Sequence, residues 1–239
     1  MTSLADPAPN PASASGPAAA SETARAGVDA LIAAVAAADS AISLLLATQA
    51  LAAAVHPAAI ASLVEVLGFN NPGAAVAAVD GLIALGPQAV APLLGSLDER
   101  NYGARAWAVR ALAGIGDVRG LDLLEEALGS DIGPSVRRAA ARGLGQLQLD
   151  ALEDIQRQAV QGRCLQALVA GCTDGEWVVR YAVAVGLEAL GLGNPASGDL
   201  LPASRTALLG LSHPEAEEVP VVRLRAALAL QRLDDQTGS

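Results

Sequence analysis

The sequence is poor in the side chains that most binding and catalytic sites use. Lysine is absent, and the 239 residues include only two histidines, two cysteines and one phenylalanine. The 15 arginines face 25 acids, giving a formal net charge of −10, so the basic surface that nucleic acids require is missing. Cys164 and Cys172 cannot form a disulfide framework and lack metal-ligand spacing. We therefore expect a cytoplasmic protein with no metal site and no nucleic-acid partner.

Long uninterrupted apolar runs are absent as well, so we expect no transmembrane segment. Hydrophobic residues make up 52% of the chain but aromatic residues only 2%, so most of the hydrophobic residues are Ala, Leu and Val. Ala and Leu favour helices, and an all-α fold is expected. Residues 1–26 are rich in Ala, Pro and Ser and are predicted to be a disordered tail, followed by a repeat domain over residues 27–235.

An internal repeat organises that domain. Its equivalent anchor positions are Ala75, Arg105, Arg137, Arg180 and Arg223. Three residues after each anchor stands Ala or Val, seven after stands Leu, and ten after stands Leu or Ile. These offsets share one face of a helix, and an acid stands six residues before each arginine anchor. The pattern predicts about five to six helical hairpins stacked in an α-solenoid, with a weaker first unit around Ala47–Leu67.

Four of the five aromatic residues cluster around two of the anchors. Tyr102 and Trp107 flank Arg105, whereas Trp177 and Tyr181 flank Arg180. Rings beside guanidinium groups suit a flat, conjugated, anionic ligand, because the rings stack on it and the arginines bind its carboxylates. The alternative, that these rings fill gaps between units, stays open. The candidate ligand-binding residues are Tyr102, Arg105, Trp107, Arg110, Arg137, Arg138, Trp177, Arg180 and Tyr181, with Arg119 and Arg142 close in sequence.

The unit resembles a HEAT-like repeat, in which a Val-Arg pair opens the second helix and the arginine often bridges to the preceding turn acid. The segment NYGARAWAVRALAGIGDVRGLDLLEEAL at Asn101–Leu128, with the following DIGPSVRRAAARGLG, resembles the F-type (beta) subunit of the heterodimeric phycobilin lyases. The resemblance implies an E-type (alpha) partner subunit and no cofactor. Its substrate would be an open-chain tetrapyrrole, phycocyanobilin or phycoerythrobilin, joined by a thioether to a cysteine of a phycobiliprotein alpha subunit.

The resemblance also bears on individual residues. The acceptor protein supplies the thiol, so this chain needs no reactive cysteine, and Asp117 or Glu99 is a candidate for proton transfer. Isomerising members of the family carry a His-Cys pair in the segment matching residues 102–107, where this sequence has Tyr102 and Gly103. We therefore expect ligation without isomerisation. The alternative function is a non-catalytic HEAT-repeat adaptor or chaperone that binds a phycobiliprotein or another partner.

Overall fold

The computed structural model describes residues 17–97, 101–193 and 200–237, and all regular structure within these ranges is helical. The predicted all-α class is confirmed. The α-helices are α1 (Pro17–Ala36), α2 (Ala41–Ala53), α3 (Ile60–Val66), α4 (Pro72–Leu85), α5 (Val90–Gly95), α6 (Tyr102–Ile115), α7 (Leu121–Ser130), α8 (Pro134–Leu144), α9 (Asp154–Gly171), α10 (Trp177–Leu192), α11 (Leu200–Ser212) and α12 (Pro220–Thr237).

Consecutive helices pair into six hairpins, from α1–α2 to α11–α12. The even-numbered helices pack each against the next and form the second layer, which carries the repeat anchors; the odd-numbered helices form the first layer. A solenoid of five to six hairpins is therefore confirmed. Two boundaries differ from expectation. Ala47–Leu67 spans parts of α2 and α3 and is no unit of its own, because the first hairpin is α1–α2.

The other difference lies at the start of the chain. Helix α1 begins at Pro17, ten residues before the predicted domain boundary at residue 27. Alanine carries the highest helix propensity, and the segment from Pro17 to Gly27 is alanine-rich, so it forms helix without large apolar side chains. Residues 1–16 lie outside the described part of the chain. The anchors Arg137 and Arg180 are further apart than Arg105 and Arg137, and the first-layer helix between them is longer, since α9 has 18 residues against 10 in α7.

Local sequence determines where the second-layer helices begin and what they bury. The side-chain oxygens of Asn71 and Asn101 accept hydrogen bonds from the main-chain N–H groups of Ala74 and Ala104, at 3.1 and 3.0 Å. Such N-caps satisfy helix-end donors that have no partner within the helix. Proline starts α4, α8 and α12. Seven residues after their anchors, four leucines are almost fully buried: Leu82, Leu112, Leu144 and Leu187.

Glycines bring the second-layer helices close together. Gly81, Gly143 and Gly186 each stand six residues after an anchor. A Cβ on Gly143 would lie 2.6 Å from the Cβ of Ala113, and one on Gly186 would lie 2.5 Å from the carbonyl oxygen of Ala141. First-layer helices make sparser contacts with one another. The stack therefore curves with the second layer on its inner side, and the exposed face of that layer is the inner face of the solenoid.

One segment, Pro72–Gly95, is long and apolar enough by length and composition to cross a membrane, which the sequence analysis did not anticipate. It comprises α4, a short 3-10 turn and α5. Gly86 ends α4 with a positive φ of 67°, a conformation that favours glycine. More than half of the apolar window is buried inside the protein. The segment therefore consists of two core helices, the second helix of one hairpin and the first helix of the next.

Candidate functional site

Three anchor arginines form an ion-pair ladder along one edge of the stack. Arg137 donates to both carboxylate oxygens of Asp174, at 2.7 and 3.0 Å. Arg180 binds Glu217 in the same way, at 2.6 and 2.8 Å. Each of these acids lies in the turn that precedes the next second-layer helix. Together with the contact of Arg105 described next, these pairs link the four hairpins from α5–α6 to α11–α12, each to the one that follows it.

Arg105 makes the first contact of the ladder. It donates to Asp131 at 2.5 Å and to Glu126 at 3.0 Å. The HEAT-like resemblance implies an anchor arginine that bridges to the acid of the preceding turn, whereas the carboxylate bound in this structure is a different acid. The carboxylate belongs to the following unit, and the acid of the preceding turn contributes only its main-chain oxygen. Arg137 donates to that oxygen of Asp131 at 2.8 Å.

This ladder changes the interpretation of Arg105, Arg137 and Arg180 as ligand-binding residues. Their side chains are only 17%, 15% and 13% exposed, and their donors are already directed at protein acceptors. The hydrogen bond from Arg180 lowers the pKa of Glu217 despite burial. We therefore remove these three residues from the ligand-binding set. Sequence spacing predicted that these arginines lie beside aromatic rings. It did not show that their guanidinium groups bind acids 26 to 37 residues away.

Four arginines in the described part of the chain have no carboxylate partner, and three of them, Arg110, Arg138 and Arg142, lie on α6 and α8; the fourth is Arg223 on α12. Arg138 and Arg142 are exposed, one helical turn apart on α8. Arg110 stands on α6 at the position equivalent to Arg142, five residues after its anchor. Neighbouring packed helices lie about 10 Å apart. The three guanidinium groups thus share the inner face of two adjacent helices.

Two aromatic side chains flank these arginines. Trp107 is half-buried on α6, and the guanidinium carbon of Arg110 lies 4.8 Å from the centroid of its ring. A cleft of about 200 Å³ opens there between α6 and α8; its lining is Gly103, Ala106, Trp107, Arg110, Ser135 and Val136. Tyr181 is half-buried on α10, at the position equivalent to Arg138. We call Trp107, Arg110, Arg138, Arg142 and Tyr181 the central arginine surface.

The remaining two aromatic residues lie at the edge of the stack, as the first residues of α6 and α10. The Tyr102 hydroxyl donates to Asp131 at 2.8 Å, so this ring supports the ladder. Burial and that hydrogen bond raise the pKa of Tyr102. Trp177 is 45% exposed. The sequence analysis expected two equivalent ring-and-guanidinium patches, whereas the structure forms one surface from α6, α8 and α10.

Of the two candidate acids for proton transfer, only Asp117 lies within the described residues. Asp117 caps a short 3-10 turn, and its carboxylate accepts hydrogen bonds from the guanidinium of Arg119 at 2.7 and 2.8 Å. These bonds lower its pKa. Asp117 follows the far end of α6, roughly 20 Å along the helix from Tyr102. Its role is structural, and we withdraw it as a proton donor. Glu99 lies outside the described residues.

Neither cysteine is suited to act as a nucleophile. Cys164 is fully buried, and burial raises the pKa of its thiol to about 12. Burial also raises the pKa of Cys172, to about 11. A thiolate is the reactive form of cysteine, so both thiols are inert at neutral pH. Within residues 17–97, 101–193 and 200–237, His, Cys, Asp and Glu form no group that could hold a metal ion.

The fold and its inner surface define a class of protein, a HEAT-repeat solenoid whose inner face carries aromatic rings and arginines. The family model for HEAT repeats matches residues 90–159. The chain is 53% identical, over 68% of its length and 76% of the relative's, to "Phycocyanin alpha phycocyanobilin lyase CpcF" of Synechocystis sp. strain PCC 6803. It is 52% identical, over 73% and 81%, to "Bilin biosynthesis protein RpcF" of Synechococcus sp. strain WH8020. The chain belongs to the family of CpcF-type phycocyanobilin lyase beta subunits.

A solved structure agrees with this assignment. A chain in the structure of the complex of CpcE and CpcF of phycocyanin lyase from Nostoc sp. PCC7120 matches with a TM-score of 0.66 and 42% identity. The match covers 73% of this chain and 99% of that one. The resemblance noted in the sequence is therefore confirmed, and the chain is a lyase subunit with a role in bilin chemistry.

Proposed function

We propose that this chain is the beta half of a heterodimeric bilin lyase. Together with an E-type alpha subunit, it would join phycocyanobilin or phycoerythrobilin to a cysteine of a phycobiliprotein alpha subunit through a thioether bond. The bilin is the substrate, and no cofactor takes part. Support comes from relatives with lyase names and from a matching chain solved in a complex of CpcE with CpcF.

One observation carries the proposal: the central arginine surface. In a chain of net charge −10, Arg110, Arg138 and Arg142 stand together without carboxylate partners. A bilin is a long conjugated system with two propionates. Trp107 and Tyr181 offer rings on which that system stacks, while the guanidinium groups bind the propionates. The surface spans α6 to α10, roughly 20 Å at 10 Å per helix, which suits an extended tetrapyrrole.

The chemistry is an addition, so the main task of the protein is to position the bilin. The sulfur of the acceptor cysteine forms a bond to the ethylidene carbon, and the carbon–carbon double bond becomes single. The thiol proton ends on the neighbouring ring carbon, and no group leaves. Holding the bilin in one conformation near the acceptor raises the effective concentration of the two reacting groups. This role requires no reactive thiol on the lyase, in keeping with the buried Cys164 and Cys172.

We assign the assisting carboxylate to Asp80. It is exposed on α4, five residues after its anchor and therefore level with Arg110 on the next helix. The other second-layer acids in the described ranges all have partners; Glu188, for example, is bound by Arg225 and Arg232 at 2.6 and 2.9 Å. An unpaired carboxylate about 10 Å from the arginines can reach the end of a bound bilin and shuttle its proton.

The reaction stops at ligation in this proposal. Shifting a double bond within the bilin needs a group that removes a proton from one carbon and returns it to another. Tyr102 is held in the ladder by Asp131, and Gly103 has no functional group. Neither residue supplies that chemistry, so the attached bilin keeps the double bonds that follow from simple addition.

The test is reconstitution with a matched pair of variants. The chain is co-expressed with an E-type subunit, a bilin source and the apo alpha subunit of a phycocyanin, and covalent colour is read on denaturing gels. We expect colour with the wild-type chain and a reduced yield with Arg138→Ala/Arg142→Ala. The control is Arg25→Ala, which removes an exposed arginine from α1 and leaves the yield unchanged. An uncoloured acceptor in the wild-type reaction, with the acceptor still bound, would instead identify an adaptor or chaperone.

A further inference from the structure

The two tyrosines of the chain differ in what their hydroxyl groups bind. The Tyr102 hydroxyl donates to Asp131 at 2.8 Å. Tyr181 is half-buried, and its ring packs against the core, but among the residues that the structure describes its hydroxyl has no hydrogen-bond partner. A ring held in place with an unbound hydroxyl presents a ligand with both a stacking face and a hydrogen-bond donor.

Tyr181 lies at one end of the central arginine surface, and the residue beyond the other end is an acid. Tyr181 stands one residue after the anchor of α10, as Arg138 does on α8, so these two side chains are neighbours on the inner face. Beyond the arginines on the opposite side, a second cleft of about 240 Å³ opens between α2 and α4, and Asp80 lines it. The inner face therefore changes along the stack from a carboxylate, through guanidinium groups, to a phenol.

A bilin is unsymmetrical in a way that this order of side chains can match. Its two propionates stand on the two central rings, and the ethylidene carbon that accepts the thiol is on one terminal ring. Both terminal rings are lactams with a carbonyl oxygen. When the guanidinium groups of α6 and α8 bind the propionates, one terminal ring extends toward Tyr181 and the other toward Asp80, on helices about 10 Å to either side. Because Asp80 is the assigned proton-transfer group, the ethylidene ring lies toward α4.

We propose that Tyr181 fixes this orientation and selects the bilin. Its ring stacks on the terminal ring remote from the ethylidene group, and its hydroxyl donates to the carbonyl oxygen of that ring. Phycocyanobilin and phycoerythrobilin share the other three rings and differ at this end. The bridge to the last ring is unsaturated in phycocyanobilin, so this ring can lie in the plane of its neighbour, whereas the bridge in phycoerythrobilin is saturated. A coplanar ring stacks better on the phenol, so Tyr181 favours phycocyanobilin. This inference rests on the proposed bilin site and adds the orientation and choice of the ligand.

The measurement is the affinity of the purified full chain for free phycocyanobilin and for free phycoerythrobilin, each titrated separately and followed by absorbance. The wild-type chain should bind phycocyanobilin about 10-fold more tightly. Tyr181→Leu removes the ring and should bind the two bilins with equal affinity, because the loss falls on phycocyanobilin. Tyr181→Phe keeps the ring and should weaken both bilins about 5-fold, since both have the lactam carbonyl. The matched control is Tyr102→Phe, which loses a hydroxyl already bound to Asp131 and should bind both bilins like the wild-type chain.

The outcomes separate this inference from the proposed function. If the wild-type chain binds neither bilin, both proposals fail. If it binds both with equal affinity, or if Tyr181→Leu weakens both to the same extent, Tyr181 does not contact the ring that distinguishes them; the orientation is then wrong and the bilin site stands. Circular dichroism checks that each variant folds. Should Tyr181→Leu not fold, Tyr181→Phe decides alone, because binding like that of Tyr102→Phe would overturn the contact with the terminal ring.

Discussion

Two sets of arginines lie on the same helices but differ in their partners. One set is bound to carboxylates, and the other set is not. Arg137 is 15% exposed and bound to Asp174 on both oxygens. Arg138, the next residue, is exposed and has no carboxylate partner. One residue rotates a helical position by about 100°, which moves the side chain from the edge of the stack to its inner face. Position relative to the anchor thus separates arginines that hold the solenoid from arginines available to a ligand.

The contrast also shows how an acidic chain can carry arginines that have no carboxylate partner. The ladder acids are neutralised within the stack, and their field at the inner face is offset by their own arginines. The arginines of the central surface stand apart from these pairs. The net charge of −10 therefore says little about the local charge on α6 and α8, where Arg110, Arg138 and Arg142 have no carboxylate partners.

The largest effect should come from breaking the ladder. Arg137→Ala leaves Asp174 buried without its partner, and removing one member of a buried ion pair costs about 3 kcal/mol. Arg138→Ala, the matched control one residue away, should change the free energy of unfolding by less than about 0.5 kcal/mol. Urea unfolding followed by circular dichroism measures both. Equal destabilisation by the two variants would mean that the edge and the inner face are not distinct.

Much of the fold could be predicted from the sequence, because it follows from local patterns. The apolar columns at offsets of 3, 7 and 10 predict the second-layer helices. The partners of Arg105, Arg137 and Arg180 could not be predicted, since each lies across a unit boundary. Only stacking brings an arginine to an acid 26 to 37 residues away.

The members of the candidate surface could be named from the sequence, but their arrangement could not. Trp107, Arg110, Arg138 and Tyr181 were candidates, and the structure gathers them with Arg142 on one face. Spacing from the anchor would have grouped them, because Arg110 and Arg142 share one offset and Arg138 and Tyr181 share another. The small residues six positions after each anchor were likewise visible in the sequence, but their meaning depends on how closely neighbouring helices approach.

A smaller loss of stability is expected from a substitution that disturbs the close approach of α6 and α8. Gly143→Ala places a methyl group within 2.6 Å of Ala113 and forces α6 and α8 apart. Overpacking of this kind costs about 2 kcal/mol, and the wider spacing should also weaken bilin binding between Trp107 and Arg138. Gly129→Ala is the control, because a Cβ there meets nothing within 4 Å and alanine favours helix. Unfolding and absorbance titration with free bilin measure the two effects.

Substitutions in the central arginine surface should change the affinity for bilin rather than the free energy of unfolding. Arg138→Ala/Arg142→Ala removes two exposed guanidinium groups, each contributing about 1 kcal/mol to a contact with a propionate, so bilin affinity should fall roughly 30-fold. The free energy of unfolding should stay within about 0.5 kcal/mol of the wild-type value. Titration of the purified chain with free phycocyanobilin, followed by absorbance, gives the affinity. Unchanged binding would remove this surface from the proposed function.

Lowering the pH should weaken the ladder without a mutation. The bond from Arg180 lowers the pKa of Glu217 below its ordinary value of 4.5, so the folded state binds this proton less readily than the unfolded state. Its contribution is fully present above pH 4.5 and is lost as the pH falls through the folded pKa. Glu217→Gln should flatten this part of the stability profile below pH 4.5. A variant profile parallel to that of the wild-type chain would contradict this prediction.

The smallest effect should distinguish the two aromatic residues at the edge of the stack. Tyr102→Phe removes the hydroxyl that donates to Asp131, and a hydrogen bond of this kind contributes about 1 kcal/mol to stability. Trp177→Phe at the equivalent position of α10 removes a ring that is 45% exposed, so it should change stability by less than about 0.5 kcal/mol. Bilin affinity should be unchanged in both variants, because neither ring belongs to the central arginine surface. A loss of affinity in Trp177→Phe alone would extend that surface to the edge of α10 and return this tryptophan to the ligand-binding set.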